Sequence, residues 1–168
     1  MPGFIEFDPQ NRMQMEVLMP RLLILAGELT VRAGDQVIFE PFDLSVARFS
    51  LLASLARAPR PLTMTEIKDF ILRSPANLTQ MVDYLEQRNL VQRTPRVGDR
   101  RVNILELTDD GRKLLGQVQS VYAKTMKDFL HNQSSDELRT LIFSLLEVVR
   151  GMMDILGMEP PHLHEEID

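Results

Sequence analysis

The chain has 168 residues, no cysteine, no tryptophan, two tyrosines and a formal net charge of −5. The missing cysteine excludes disulfides, thiolate metal sites, cysteine nucleophiles and thiol redox sensing, and the scarcity of large aromatics argues against a base-stacking RNA surface. The length fits one domain, or one domain with helical extensions, and a hydrophobic content of 44% supplies a sizeable core.

Residues 1–10 read as an irregular end with no basic stretch or apolar run of a secretory signal. Pro20 suits the first turn of a mostly apolar helix over residues 21–39, which Pro41 ends. Ser45 can cap a helix through Ala56, with Phe49, Leu52 and Leu55 on one stripe. Ala58-Pro59-Arg60-Pro61 is a stiff loop. Thr63-Met-Thr-Glu66 has the capping-box pattern and starts a short helix to about Ile71.

Ser74 before Pro75 is an N-cap and first-position pair for a helix running to Arg88, and Asn89 can take the left-handed position after it. Leu78, Met81, Val82 and Leu85 form its apolar stripe, while Asn77, Thr79, Gln80, Asp83 and Tyr84 point elsewhere. Residues 90–96 and 101–107 read as two strands around a Val97-Gly98-Asp99-Arg100 turn. Thr108 caps a long helix to about Leu130, with Asp109 and Asp110 at its positive end. Ser134 or Ser135 starts a last helix with a broad apolar face that Gly157 stops.

The fold class expected is mainly α with a small β-hairpin wing: a winged helix-turn-helix between helical extensions. The expected division is an N-terminal segment and first dimerisation helix over 1–44, a DNA-binding domain over 45–110, dimerisation helices over 111–157 and a flexible tail over 158–168.

Charge is unevenly spread. Residues 1–56 carry 4 basic and 7 acidic side chains, residues 57–101 carry 9 and 5, and residues 102–168 carry 6 and 12. Phosphate affinity follows the local footprint, so the central basic block can hold DNA while acidic flanks stay off it. Ser74, Pro75, Asn77, Thr79 and Gln80 lie at the leading end of the Ser74 helix. Asn and Gln can bind adenine through two hydrogen bonds, and hydroxyls reach bases or phosphates. Arg93, Arg96, Arg100 and Arg101 suit phosphates or a narrow minor groove. Gly98 and Asp99 support the turn; Asp99 either pairs with Arg101 or only completes the turn. The plainer reading is a capped surface helix beside a solvated charge run, which the adjacency of the two elements disfavours.

The first helix and the last two carry more apolar surface than a small winged domain needs, which suits a two-fold homodimer. Phe39, Phe42, Phe49, Leu52 and Phe129 are candidates for a pocket taking a small aromatic effector. The His162-Leu-His164-Glu-Glu166 tail lacks the preorganisation a metal site needs, so neither metal nor cofactor is expected. No nucleotide-binding glycine loop or nucleophile–base arrangement appears, so the chain is not expected to be an enzyme. No uncharged apolar run is long enough to span a bilayer, and a cytoplasmic location is expected. The alternative is a winged-helix protein-interaction module without specific DNA binding, for which the acidic C-terminal half could meet a basic partner.

Residues from about Ser45 to Leu156 resemble the MarR family of transcriptional regulators. The matching words are LTMTEI, SPANLTQMVDYLEQRNLVQR and VGDRRVNILELTDDGRKLL. The D-R-R of the wing followed by L-T-x-x-G is the most family-specific part. The resemblance implies a homodimer on a palindromic operator, usually repressing, and often released by phenolic or other aromatic acids. It implies DNA contacts from Ser74, Pro75, Asn77, Thr79, Gln80, Arg100 and Arg101. The chain departs from the family pattern at Lys68, Leu72, Gln80 and Asn89. Gln80 stands where Arg is frequent, so an operator sequence does not transfer.

Overall fold

The computed structural model describes residues 6–71, 75–96 and 98–158. In chain order it contains α1 (Arg12–Gly34), a π-helical turn (Asp35–Phe39), a 3-10 turn (Glu40–Phe42), α2 (Val46–Arg57), β1 (Leu62–Thr63), α3 (Met64–Ile71), α4 (Pro75–Gln87), β2 (Val91–Arg96), β3 (Asp99–Leu107), α5 (Asp109–Phe129) and α6 (Ser135–Leu156). The class is the one expected, mainly helical with one small antiparallel sheet. The chain divides into two compact units, Met1–Phe49 and Ser50–Asp168.

In the first unit, α1 begins nine residues earlier than proline chemistry suggested. Asn11 caps it, its side chain accepting from the Gln14 backbone N–H at 3.2 Å, and Arg12 pairs with Glu16 one turn on at 2.7 Å. These contacts set the start upstream, so Pro20 lies inside the helix rather than in its first turn. The missing N–H and the ring clash are costs that the surrounding helix tolerates here. Beyond Gly34 the helix widens into the π turn and then tightens around Pro41. Asp43 takes a left-handed conformation with φ 53°. The Asp35 carboxylate accepts from the Val46 backbone N–H at 2.6 Å, and the Ser45 hydroxyl accepts from Arg48 N–H at 3.3 Å. Together they satisfy two amides of the first turn of α2, those of Val46 and Arg48. Phe39 is buried and its ring lies 4.9 Å from that of Phe49, tilted by 32°.

The second unit holds the winged core. Its sheet has the order β1-β3-β2, all antiparallel, with Leu62 opposite Leu105 and Val91 opposite Leu107. The two-residue strand β1 was not foreseen. Leu51, Leu52 and Leu55 of α2, Ile67 of α3, Leu78, Val82 and Leu85 of α4, Leu105 and Leu107 of β3, and Leu115 and Val118 of α5 are buried together with Leu90 and Val91. The spacings 78, 82 and 85 on α4 place three apolar groups on one helical face, as read from the sequence.

The capping box of α3 forms as expected. The Glu66 carboxylate accepts from the Thr63 backbone N–H at 2.7 Å and its hydroxyl at 2.8 Å, while Glu66 N–H donates to the Thr63 hydroxyl at 3.3 Å. Arg60 also pairs with Glu66, and these contacts hold the Glu66 carboxyl down at about 2. A second capping box joins Ser134 and Glu137 at the start of α6, and Gly157 closes that helix at φ 62°.

Candidate nucleic-acid interface

The end of α4 is fixed by a small polar joint. Asn89 takes the left-handed conformation at φ 54°, and its side-chain amide donates to Asp110 at 3.0 Å. Thr108 caps α5 by accepting from Gly111 N–H at 3.0 Å. The same hydroxyl donates to the Asn89 carbonyl at 2.6 Å, and the Thr108 backbone N–H donates to the Leu90 carbonyl at 3.2 Å. The L-T-x-x-G word therefore has a physical content. Thr108 joins the end of α4 to the start of α5, and Gly111 leaves room for the Leu90 carbonyl, which any Cβ there would overlap.

With Leu78, Val82 and Leu85 turned into the core, the opposite side of α4 is open. Asn77, Thr79 and Gln80 are exposed there. Gln80 lies nearly opposite the buried stripe, with Asp83 and Tyr84 flanking it one turn further along. Arg88 stacks over the Tyr84 ring, its guanidinium 5.6 Å from the centroid. Ser74, the expected cap, lies outside the described residues, and Pro75 is the first residue of the helix.

The wing differs in detail from its sequence reading. The strands come closer to the tip, with Arg96 opposite Asp99, so Asp99 and Arg100 belong to β3 rather than to a four-residue turn. Gly98 carries φ 92°, which supplies the left-handed corner that a two-residue connection needs. The register jumps between Pro95, opposite Asn103, and Arg96, opposite Asp99. The extra residues of β3 at that jump are 100–102. A bulge twists and re-aims a strand, and this one falls on Arg100 and Arg101. Val97 and the side chains of Asp99, Arg100 and Arg101 lie outside what is described, so the expected Asp99–Arg101 pairing does too. Arg96 is exposed.

Arg93 is placed otherwise. Its guanidinium donates to the Glu86 carboxylate at 2.8 Å and also pairs with Asp83, while its backbone N–H donates to Glu86 at 3.3 Å. No signal in the linear sequence marks these partners, which stand seven and ten residues away on the preceding helix.

The five pocket candidates are not alike. Phe39 is buried and touches Phe49, Phe42 is half-buried, and Leu52 is a fully buried core residue. Phe129 is 72% exposed at the end of α5. An open groove of about 660 Å³ is lined by Gly27, Glu28, Val31, Arg32, Asp35 and Gln36, none of them an expected pocket residue. The His162 and His164 tail lies outside the described residues. His131 sits at the end of α5 with Nδ1 2.6 Å from the Asp128 carbonyl. No helix among the described residues is long and apolar enough to cross a membrane.

Comparison with known proteins meets this geometry. The MarR-family sequence model matches residues 44–102, which run from the start of α2 into the wing. The HTH-type transcriptional regulator PecS of Dickeya dadantii (strain 3937) is 34% identical over 117 residues, 68% of this chain and 69% of PecS. The chain belongs to the MarR family. Apo MarR from E. coli superposes with a TM-score of 0.68 at 25% identity, covering 86% of this chain and 98% of that one. The transcriptional repressor CouR, solved bound to a 23-mer DNA duplex, gives a TM-score of 0.69 at 28% identity over 84% of this chain and 99% of its own.

Proposed function

We propose that this MarR-family protein is a sequence-specific regulator of transcription that binds a palindromic duplex operator as a homodimer. The observation that carries the reading is the two-sided α4. Its back is locked into the core by Leu78, Val82 and Leu85, while Asn77, Thr79 and Gln80 are exposed beside an arginine-tipped hairpin. An anchored helix with an open amide-bearing face suits the major groove, and an adjacent β-ribbon suits the flanking backbone or minor groove. The fold it shares with CouR, which is solved on a DNA duplex, supports the same reading.

The DNA contacts proposed for this segment are Ser74, Pro75, Asn77, Thr79 and Gln80, to bases and the nearest phosphates. Arg96, Arg100 and Arg101 hold the flank, and Gly98 and Asp99 set the tip. The surface of α6 supports the dimer. No residue of that helix is buried within the chain, yet Leu138, Leu141, Ile142, Leu145, Leu146, Val149, Met152 and Met153 fall within an arc of about 140° on its surface. An apolar face of that width left in water marks an interface. A two-fold axis through it gives two copies of α4 in successive major grooves, about 34 Å apart.

Repression, relieved by an aromatic ligand, completes the proposal. The Phe39–Phe49 pair, with Phe42 near it in sequence, offers an aromatic ligand ring surfaces to compete for. Such a ligand acts only through its differential affinity for the DNA-competent and released states.

The test is selection from a random duplex pool near physiological salt. An enriched palindrome with half-sites about one helical turn apart supports the reading. Retention without enrichment, or no retention, contradicts it.

A further inference from the structure

Arg93 stands apart from the arginine beside it on the same strand. Arg96 is exposed, whereas the Arg93 side chain is only 25% exposed and spans from β2 back to α4. It meets two carboxylates three residues apart on that helix, Asp83 and Glu86, and its own backbone N–H adds a second contact to Glu86. A planar guanidinium can serve two carboxylates at once, which an ammonium does less well. Asp83 follows Gln80 by three residues and so shares the helix side turned outward. Left unpaired, Asp83 and Glu86 would repel each other at that spacing and would present two negative charges where a phosphate backbone approaches.

We propose that Arg93 is a positioning residue for DNA recognition: it straps the base of the wing to α4 and offsets half the charge of the two carboxylates that would otherwise oppose DNA. This rests on the reading of α4 and the wing as the DNA interface. It removes Arg93 from the set of phosphate contacts, leaving Arg96, Arg100 and Arg101.

A double-mutant cycle separates a strap from a direct DNA contact. The affinity of the full-length protein for its selected duplex is measured with and without Arg93→Gln. This is done first in the natural background and then in one carrying Asp83→Asn and Glu86→Gln. A strap loses its purpose when the carboxylates are neutral. Arg93→Gln should therefore weaken binding about tenfold in the natural background and less than twofold in the neutral one. An equal loss in both backgrounds would make Arg93 a direct DNA contact and overturn the proposal. Arg93→Lys keeps the charge without the fork. It should lose several-fold in the natural background alone, and full retention there would also overturn the strap.

Urea unfolding of each variant accompanies the cycle. Should Arg93→Gln fail to fold alone, the Arg93→Lys comparison in both backgrounds carries the decision. If the natural protein retains no duplex, the DNA reading falls and takes this proposal with it. If it retains one and the cycle shows no coupling, the strap alone falls.

Discussion

The α-carbon of Gly111 faces the carbonyl of Leu90 so closely that a Cβ built there would overlap the oxygen and lie 3.0 Å from the carbonyl carbon. The first turn of α5 thus packs directly on the chain leaving α4, and backbone on both sides leaves nothing to swing away. Gly111→Ala should destabilise the protein by roughly 3 kcal/mol, the upper range for overpacking a closed site. Gly116, five residues along the same helix, has nothing within 4 Å of its built Cβ. Gly116→Ala should stabilise by up to about 1 kcal/mol through helix propensity. Urea denaturation of the two variants should give opposite signs; two losses of equal size would refute the steric account.

Glu66 ties stability to acid. Its folded carboxyl sits at about 2 against an ordinary 4.5, chiefly because Arg60 and both donors of Thr63 bond the ionised form. A depressed carboxyl contributes stability that is present above 4.5 and is lost as pH falls towards 2. Glu66→Gln should therefore be less stable than the natural protein at pH 7, by about 1 kcal/mol as for a lost cap. The gap should close between about pH 4.5 and 2. A gap independent of pH would show that the ionised carboxylate is not what holds the cap.

The exposed face of α6 gives a prediction about assembly. Val149 is 53% exposed and Leu141 54% exposed, so replacing either with Glu should cost the isolated chain little. In the proposed dimer the same charges would be buried opposite their own copies. Leu141→Glu combined with Val149→Glu should shift sedimentation velocity from dimer to monomer and weaken DNA binding at least tenfold. An unchanged sedimentation coefficient would place the subunit interface elsewhere.

Much of this architecture is legible in the linear chain, because its signals are local. The Thr63–Glu66 box, the left-handed Asn89, the Thr108 cap and the Gly157 stop each depend on neighbours within a few residues, and each stands as read. The misses depend on competition or on distance. Pro20 suggested a helix start, but the Asn11 cap and the Arg12–Glu16 pair outweighed it. Strand β1 is two residues long and exists only because β3 offers an edge to pair with. The wing connection is tighter than its turn residues implied, since Arg96 and Asp99 pair across it. The pairing of Arg93 with Asp83 and Glu86 is likewise illegible in the chain, because only the folding of β2 onto α4 brings these residues together. For the candidate site, composition and spacing indicate which residue types cluster, while their division into supports and DNA-facing groups depends on tertiary packing.

The wing and the helix should fail differently. Arg100→Ala or Arg101→Ala should weaken binding by about 1–3 kcal/mol on every duplex alike and lower the salt slope by about 1 for each phosphate no longer neutralised. Anisotropy titrations over a range of salt concentrations on selected and scrambled duplexes measure both quantities. A loss confined to one sequence would mean that the wing reads bases.

Parallel selections with the natural protein and Gln80→Ala decide whether the open face of α4 reads sequence in a two-fold arrangement. The natural protein should enrich a palindrome, and the variant should enrich the same palindrome with information lost at one symmetric pair of positions. An identical consensus from both would remove Gln80 from base readout, and the absence of any palindrome from the natural protein would contradict the account as a whole.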